Sequence, residues 1–537
     1  MRSRTVGAGS FRTPARPPQC SAARDNGAMS PTRHDEVERK YDVEPETVVP
    51  DLAEPEGVTS VRSPDEFMLK AVYFDTADFD LARRRITLRR RTGGADAGWH
   101  LKLPAGRDTR AELGAPLGRN AKAVPAPFLA QVRAIVRGRP LAPIASLATR
   151  RREYALCGAD DAVLAVFCDD QVEARRLGGE APSQHWREWE VELDGGSPSL
   201  LDAVERHLLA AGARPAKVSS KLARTIGVLP PGGVLPVGEE DQARGSVGQL
   251  LVAQLAEHLT RLEAEDAGVR TGRPESIHRL RIASRRLRSA LTTYAPLLDR
   301  AVTDPVRDEL RWLGGSLGQA RDAQVMREHL SELVAAEPPE LVVGSVAQRI
   351  DDELSAAYQS GREHALAALD SERYLQMLVA LDELIASPPL RRKADTAAKK
   401  GARRLLRRDA RRLDREVRAI TSAEDVEGRD VAFHEARKKA KRLRYAAEGA
   451  VPAVGKRARS LARSAKKVQE ALGEHQDSVI ARQRLRDFGM QAHLGGDNAF
   501  TFGRLHALEQ ARAERAEADF AAAWSAFRKK QGPRWLD

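Results

Sequence analysis

Two rhythms of apolar and polar positions divide this chain. Between about 30 and 228, apolar residues alternate with charged ones, the period-two signature of strands, over 34–43, 68–75, 84–92, 97–103, 149–157, 162–173 and 185–194. Glu36, Glu38 and Lys40 share one face of the first run. Thr87, Arg89 and Arg91 oppose Ile86 and Leu88, and His100 and Lys102 oppose Trp99, Leu101 and Leu103. Arg151 and Glu153 oppose Tyr154 and Leu156, whereas Asp169, Gln171 and Glu173 oppose Leu164 and Val166. Glu188, Glu190 and Glu192 oppose Trp189, Val191 and Leu193. One such strand marks a solvated face. Many of them, carrying both signs, predict a sheet curled around a charged interior, its apolar side covered by helices.

From about 248 the period becomes helical, with helices predicted near 248–267, 274–299, 303–334 and 345–385. After the break at Pro388-Pro389 come 394–421, 429–450, 455–486 and 501–527. Eight long helices predict two four-helix bundles, in lobes of about 248–387 and 390–527. A repeat supports the division. His278, Arg281, Arg285 and the run Arg286-Leu287-Arg288 recur as His434, Arg437, Lys441 and Arg442-Leu443-Arg444. Leu317-Gly318 with Asp322 recurs as Leu472-Gly473 with Asp477 at nearly the same offset. The Pro- and Gly-rich stretch 229–247 reads as a linker. Residues 1–28, rich in Arg and Pro without an apolar segment, read as a disordered tail or an over-extended start ahead of Met29, and 528–537 as a tail.

Composition narrows the partners. In 537 residues, a formal charge of +12 favours an anionic one: nucleic acid, membrane surface or polyphosphate. Aromatics are only 5% of residues, which leaves few platforms for stacking bases and argues against nucleic acid. Cys20, Cys157 and Cys168 lack metal-ligand spacing and cannot form a disulfide framework, which fits a reducing cytoplasm. No apolar run approaches the ~18 residues of a membrane span.

Chemistry follows from the charged strand faces. Carboxylates at 36, 38, 169, 188, 190 and 192, with cations at 40, 89, 91, 102 and 151, would repel within each set inside one cavity. A divalent cation among the acids and a polyanion among the cations satisfy both sets, as a Mg²⁺– or Mn²⁺–polyphosphate complex does. In the helical half, His278, Arg281, Arg285 and Arg288 fall on one helical face, as do His434, Arg437, Lys441 and Arg444. Like charges stacked this way destabilise a lone helix, so each stripe faces either a polyanion or acidic neighbours. Duplication under pseudo-twofold symmetry favours an anion-binding groove. Asp322 and Asp477 orient those arginines or cap local structure. Arg321 and His475 occupy related slots of the two short motifs and differ chemically, so the lobes need not bind equally. Tyr73 is expected in the core.

These residues carry two resemblances. Glu36-Val-Glu-Arg-Lys40, Tyr73-Phe-Asp-Thr76, Leu88-Arg-Arg-Arg91, Trp99-His-Leu-Lys-Leu-Pro104, Glu188-Trp-Glu-Val-Glu-Leu193 and Ser220-Lys-Leu222 occur in order over 30–228, which resembles the CYTH, or triphosphate tunnel metalloenzyme, family. The resemblance implies an eight-stranded antiparallel β-barrel with a charged through-tunnel, and metal-dependent attack of water on a terminal phosphoryl group. It implies metal-binding roles for Glu36, Glu38, Glu190, Glu192 and Asp169, beside which Asp170 stands. Phosphate-binding roles fall to Lys40, Arg89, Arg91, Lys102, Lys221 and Arg151, the last flanked by Arg150 and Arg152. Residues 248–527 resemble the CHAD domain on His278 to Arg288, Leu310-Arg-Trp-Leu313, Leu317 to Asp322, His434 to Tyr445 and Leu472 to Asp477. That resemblance implies polyphosphate binding through the two basic faces, without catalysis.

The expected protein is a cytoplasmic Mg²⁺-dependent triphosphatase, with Mn²⁺ as the alternative metal. It converts inorganic triphosphate to diphosphate and phosphate, and its helical module holds inorganic polyphosphate or places the protein at polyphosphate granules. Within the enzyme class the alternatives are thiamine triphosphatase and class IV adenylate cyclase. Outside it stands a polyphosphate-binding protein without turnover.

Overall fold

A computed structural model describes residues 32–104, 109–118, 123–179, 182–218, 220–227 and 245–530. The expectations for 1–28, for most of the linker and for 531–537 lie outside the described residues. Ser246, by contrast, caps a helix, and 528–530 belong to the last one.

Among the described residues, ten strands form the first unit: β1 (Thr32–Val43), β2 (Ser60–Val61), β3 (Asp65–Asp75), β4 (Thr87–Thr92), β5 (Gly98–Pro104), β6 (Thr109–Ala115), β7 (Ala142–Cys157), β8 (Val163–Arg176), β9 (Gln184–Leu193) and β10 (Arg214–Pro215). Eight of them close an antiparallel barrel in the order β1-β6-β5-β4-β3-β7-β8-β9, with β9 pairing back onto β1. The two-residue β2 and β10 flank β7 and β1.

Seven barrel strands match predicted runs, but β6 does not. Its sequence, Thr-Arg-Ala-Glu-Leu-Gly-Ala, has one large apolar residue, and its pairing with β1 and β5 holds it in place. The predicted strand at 84–92 begins late, because α1 (Asp80–Arg83) precedes it and Arg85 adopts a left-handed φ of 60°.

Alternation puts most apolar faces outside the barrel, where two helices cover them. Leu88, Trp99, Leu101 and Leu113 pack on Phe128, Val132 and Ile135 of α2 (Ala126–Val136). Tyr41, Leu156, Phe167 and Trp189 pack on Leu201, Val204 and Leu208 of α3 (Pro198–Ala210). α4 (Lys221–Ile226) instead packs on the inner face, where Val172 and Ala174, on the same side of β8 as Asp170, meet Leu222 and Ile226. The charged faces are left to line the lumen.

The second unit holds ten long helices: α5 (Val247–Arg270), α6 (Ser276–Thr293), α7 (Arg300–Ser316), α8 (Gly318–Ala335), α9 (Val346–Asp370), α10 (Glu372–Ala386), α11 (Ala398–Thr421), α12 (Val426–Gly449), α13 (Lys456–Leu494) and α14 (Phe500–Lys530). The predicted helix at 303–334 divides at Leu317, and that at 345–385 divides at Ser371, whose hydroxyl caps α10 by accepting from the Tyr374 amide.

Each lobe has its own core. Leu280, Leu287, Leu310, Leu313 and Tyr374 centre one, and Leu406, Leu413, Leu443, Leu461 and Leu472 the other. A third core joins the lobes at their far ends, where Leu330, Ile350 and Leu354 of the first meet Leu485, Phe488 and Leu505 of the second.

The barrel unit docks on the helical unit through α2. Ala134 enters the first lobe's core. Glu263, almost fully buried, accepts from Arg84 at 2.6 and 2.8 Å and from Arg137 at 2.5 Å. No described helix is long and apolar enough to cross a membrane.

Candidate functional site

The barrel lumen is a cavity of about 520 Å³. Register assembles it. Glu38 stands opposite Glu192 and Lys40 opposite Glu190 across the β1–β9 closure. Arg89 stands opposite His100, and Arg151 opposite Asp170. Lys221, the first residue of α4, enters from one side and donates to Asp170, Glu188 and Glu190 at 2.8, 2.7 and 2.6 Å. Arg151 grips Asp170 through two bonds of 2.8 and 2.7 Å and reaches Glu190 at 2.7 Å. Lys40 joins Glu38 at 2.6 Å and also pairs with Glu190. Lys102 meets both oxygens of Glu36 at 2.6 Å.

Most of these groups hold one another in their charged forms. Burial alone would raise the Glu190 carboxyl, yet Lys221, Lys40 and Arg151 keep it well below its ordinary value. Two groups are left over. Burial, then Glu36, pushes the Glu192 carboxyl up to about 7 against the opposing pull of Lys102, and Glu192 makes no ion pair among the described residues. Arg89 makes none either: its side chain meets the Tyr73 hydroxyl at 3.5 Å and its Nε is buried without a partner. Burial, followed by the charges of Arg89 and Arg151, lowers the basicity of Arg91. Arg91 nevertheless pairs with Asp96, so one lumen holds a carboxylate short of a cation and, in Arg89, a guanidinium short of an anion.

A second cavity, of about 1260 Å³, lies between the helical lobes. His278, Arg281, Arg285 and Arg288 of α6 line one wall, and His434, Arg437 and Lys441 of α12 the other. Asp322 pairs with Arg281 at 2.6 Å and Asp477 lies 3.5 Å from Arg437, so both acids orient arginines. These two acids face many more cations. Lys441 shows the result: burial, then Arg285, Arg437 and Arg281, brings its ammonium down to about 7.

Comparison with known proteins identifies both units. The CYTH domain model matches residues 34–226 and the CHAD domain model 253–486. An uncharacterized protein of Mycobacterium tuberculosis, from strains CDC 1551 and H37Rv alike, is 41% identical over 512 residues, 92% of this chain and 97% of the relative. The chain belongs to the CYTH–CHAD proteins. Among solved structures, PptA from Streptomyces chartreusis aligns at 24% identity and TM-score 0.45, over 52% of this chain and 99% of its own. The CHAD domain of the plant Ricinus communis aligns at 24% and 0.42, over 55% and 96%. The CYTH unit places this protein in a triphosphate tunnel enzyme family.

In this CYTH–CHAD protein the lumen gathers Glu36, Glu38, Lys40, Arg89, Arg91, Lys102, Arg151, Glu190, Glu192 and Lys221, as expected from the sequence. Asp169 is a correction. It faces outward, bound by Arg187 at 2.7 and 2.8 Å and by the Trp189 indole at 3.1 Å, and Asp170 takes the lumen position. Phe167 decides this, because its place in the outer core forces Asp169, two residues on, to the same face.

Arg444 is the second correction. It does not line the groove, since Glu448 one turn later binds it at 2.8 Å. The first lobe has Thr292 at the matching position, and Arg288 stays in the groove. Tyr73 is buried in an apolar cluster with Leu147 and Leu222, as expected, and its hydroxyl also reaches the lumen beside Arg89. The counterpart of Arg321 is Gln476 rather than His475: Gln476 bonds His434 at 2.8 Å, while His475 is buried near Asp430 and Glu517.

Several lining residues were not singled out as site residues in the sequence. Glu112 and Arg110 sit on the unpredicted β6, and Glu112 binds His100 at 2.6 Å. Arg307, Arg311, Lys439, Arg442 and Arg512 join the groove from three helices. Only the helical repeat could have pointed to Arg442, as the partner of Arg286.

The lumen acids suit a hard divalent cation. Asp170, Glu188 and Glu190 bring carboxylate oxygens within 4.8 Å of one another, although the Lys221 ammonium already bridges them. Glu36, Glu38 and Glu192 form the group whose charge is least compensated, because Glu192 lacks a cation.

Proposed function

We propose that the lumen hydrolyses a triphosphate with the help of a divalent metal, and that inorganic triphosphate, yielding diphosphate and phosphate, is its substrate. The observation that carries this reading is the coexistence of Glu192 without a cation and Arg89 without an anion in one lumen. A metal–triphosphate complex supplies both partners. Glu36, Glu38 and Glu192, with Glu190 and Asp170 nearby, would hold the metal, and an all-oxygen carboxylate set favours Mg²⁺, with Mn²⁺ as the alternative. When bound, the metal lowers the pKa of water and offsets phosphate charge.

The protein's own groups do the rest by position. Lys40, Arg89, Arg91, Lys102, Arg151 and Lys221 surround the phosphate oxygens and keep the reacting groups in line. Arg89 and Arg91, fixed on one strand before substrate arrives, stabilise the charge that builds on the leaving diphosphate as the bond to the terminal phosphorus breaks. The groove between the lobes binds inorganic polyphosphate through His278, Arg281, Arg285, Arg288, His434, Arg437 and Lys441. That pairing favours an inorganic substrate for the tunnel.

Full-length protein with Mg²⁺, triphosphate, thiamine triphosphate and ATP tests the tunnel, following phosphate and cyclic AMP. Phosphate is expected fastest from triphosphate, and Glu36→Ala/Glu38→Ala is expected to reduce it to background with the fold intact. Cyclic AMP from ATP, or no phosphate from any substrate, overturns the reading. For the groove, Arg281→Ala/Arg437→Ala is expected to weaken polyphosphate binding; equal wild-type affinity for DNA across a salt series would reduce the site to general polyanion attraction.

A further inference from the structure

The groove between the lobes has an outlet. A smaller cavity of about 370 Å³ adjoins it, and Thr292, Arg307, Lys439 and Arg442 line both. Beyond these shared residues the small cavity adds Ala295, Arg300 of α7, Arg412 and Arg415 of α11, and one acid, Glu416, which lies 3.6 Å from Lys439. Arg408, Arg412 and Arg415 follow one another at helical spacing, so α11 carries a basic face of its own. This face belongs to neither copy of the helical repeat.

The acids around this outlet are too few to satisfy it. Asp409, fully buried, lies 3.4 Å from Arg412 and 3.6 Å from both Arg408 and Arg442, and also accepts from the Thr293 hydroxyl. One carboxylate thus serves three guanidiniums. Asp304 is shared by Arg300 and Arg307. Arg442 keeps Nε and Nη2 buried without a hydrogen-bond partner at the junction of the two cavities. Arg415 makes no ion pair among the described residues and is exposed. Buried donors left unmade are costly, and a ligand oxygen removes that penalty. The plainer alternative is a basic helix face solvated by water and salt. That alternative explains Arg415 but not Arg442.

Resting on the reading of the groove as a polyphosphate site, we propose that the path for the polyanion continues past Arg307 and Arg442 onto α11 at Arg412 and Arg415, so that the helical unit selects long polyphosphate chains over short ones. A short chain fills the groove between the lobes and gains nothing from the outlet. A longer one reaches both, and each added phosphate contact releases counterions.

The test uses the full-length protein, with a short and a long size fraction of inorganic polyphosphate, each titrated across a salt series. Arg412→Gln/Arg415→Gln is expected to weaken the long fraction several-fold and leave the short fraction unchanged. Its salt slope for the long fraction should flatten by about 1.4, at roughly 0.7 per phosphate contact on a single strand. Arg415→Glu, at an exposed and unpaired position, repeats the experiment without touching Asp409. Equal loss for both fractions, or loss for neither, overturns the extension while the groove reading stands. Failure of the wild type to bind either fraction overturns both.

Discussion

Lys441 shows how a single residue can report the state of a whole groove. Its ammonium sits among Arg281, Arg285 and Arg437, and burial together with their charge brings it down to about 7. The unfolded chain keeps this lysine protonated to its ordinary value, so between about pH 7 and about pH 10.5 the unfolded state binds the extra proton. The folding penalty from Lys441 is therefore full below about pH 7 and disappears as pH rises through that window. Binding runs the other way, because a polyanion favours the charged form. Polyphosphate affinity is expected to fall by up to about tenfold between roughly pH 6 and pH 8, the linkage of one proton. Lys441→Arg, charged throughout, is expected to leave only the shallower slope contributed by His278, whose basicity burial and Arg321 lower. Titration calorimetry at several pH values measures it, and an unchanged slope in the variant would remove Lys441 from the site.

At the scale of the element, close packing of α8 on α9 rests on Gly361. Glycine in a helix interior costs about 1 kcal/mol relative to alanine, and here the small residue is needed. A Cβ at this position would lie 2.4 Å from the Ala320 nitrogen and 2.8 Å from its Cα. These atoms are backbone and cannot rotate away. Gly361→Ala is expected to destabilise by about 1–3 kcal/mol, the usual range for overpacking, and to loosen the wall that carries Arg321 and Asp322. Chemical denaturation measures the first effect; a stabilised variant would mean that helix propensity outweighs the clash. Strand β6 makes the complementary point. Its composition alone does not predict a strand, yet two neighbours supply its hydrogen bonds, and it delivers Glu112 to His100.

The whole molecule depends on one buried carboxylate at the junction of its units. Glu263 binds Arg84, which follows α1 and precedes the strand carrying Arg89 and Arg91, and it binds Arg137 at the end of α2. Arg137 also reaches Asp382 at 2.6 Å. Removing one side of a buried ion pair costs about 3–5 kcal/mol, because the remaining charge stays buried and unpaired. Glu263→Ala is expected to split thermal unfolding into two calorimetric transitions, one for each unit. A single transition at the wild-type temperature would show that apolar contact through Ala134 suffices to join them.

The alternation of charge and apolarity was enough to read a charged lumen, because period-two faces are a local property of the chain. The helical repeat was equally legible, and with it most of both basic walls. Decisions between neighbouring residues were not. Asp169 and Asp170 are both acids on one strand, and only the packing of Phe167 against Trp189 and α3 turns the second inward. Arg288 and Arg444 hold matching places in the repeat, but Glu448 withdraws Arg444 from the groove. Strand β6, the junction at Glu263 and the outlet at Arg442 were invisible for the same physical reason. Each is made by segments distant in sequence, whose partners are set only when the barrel closes and the lobes pack.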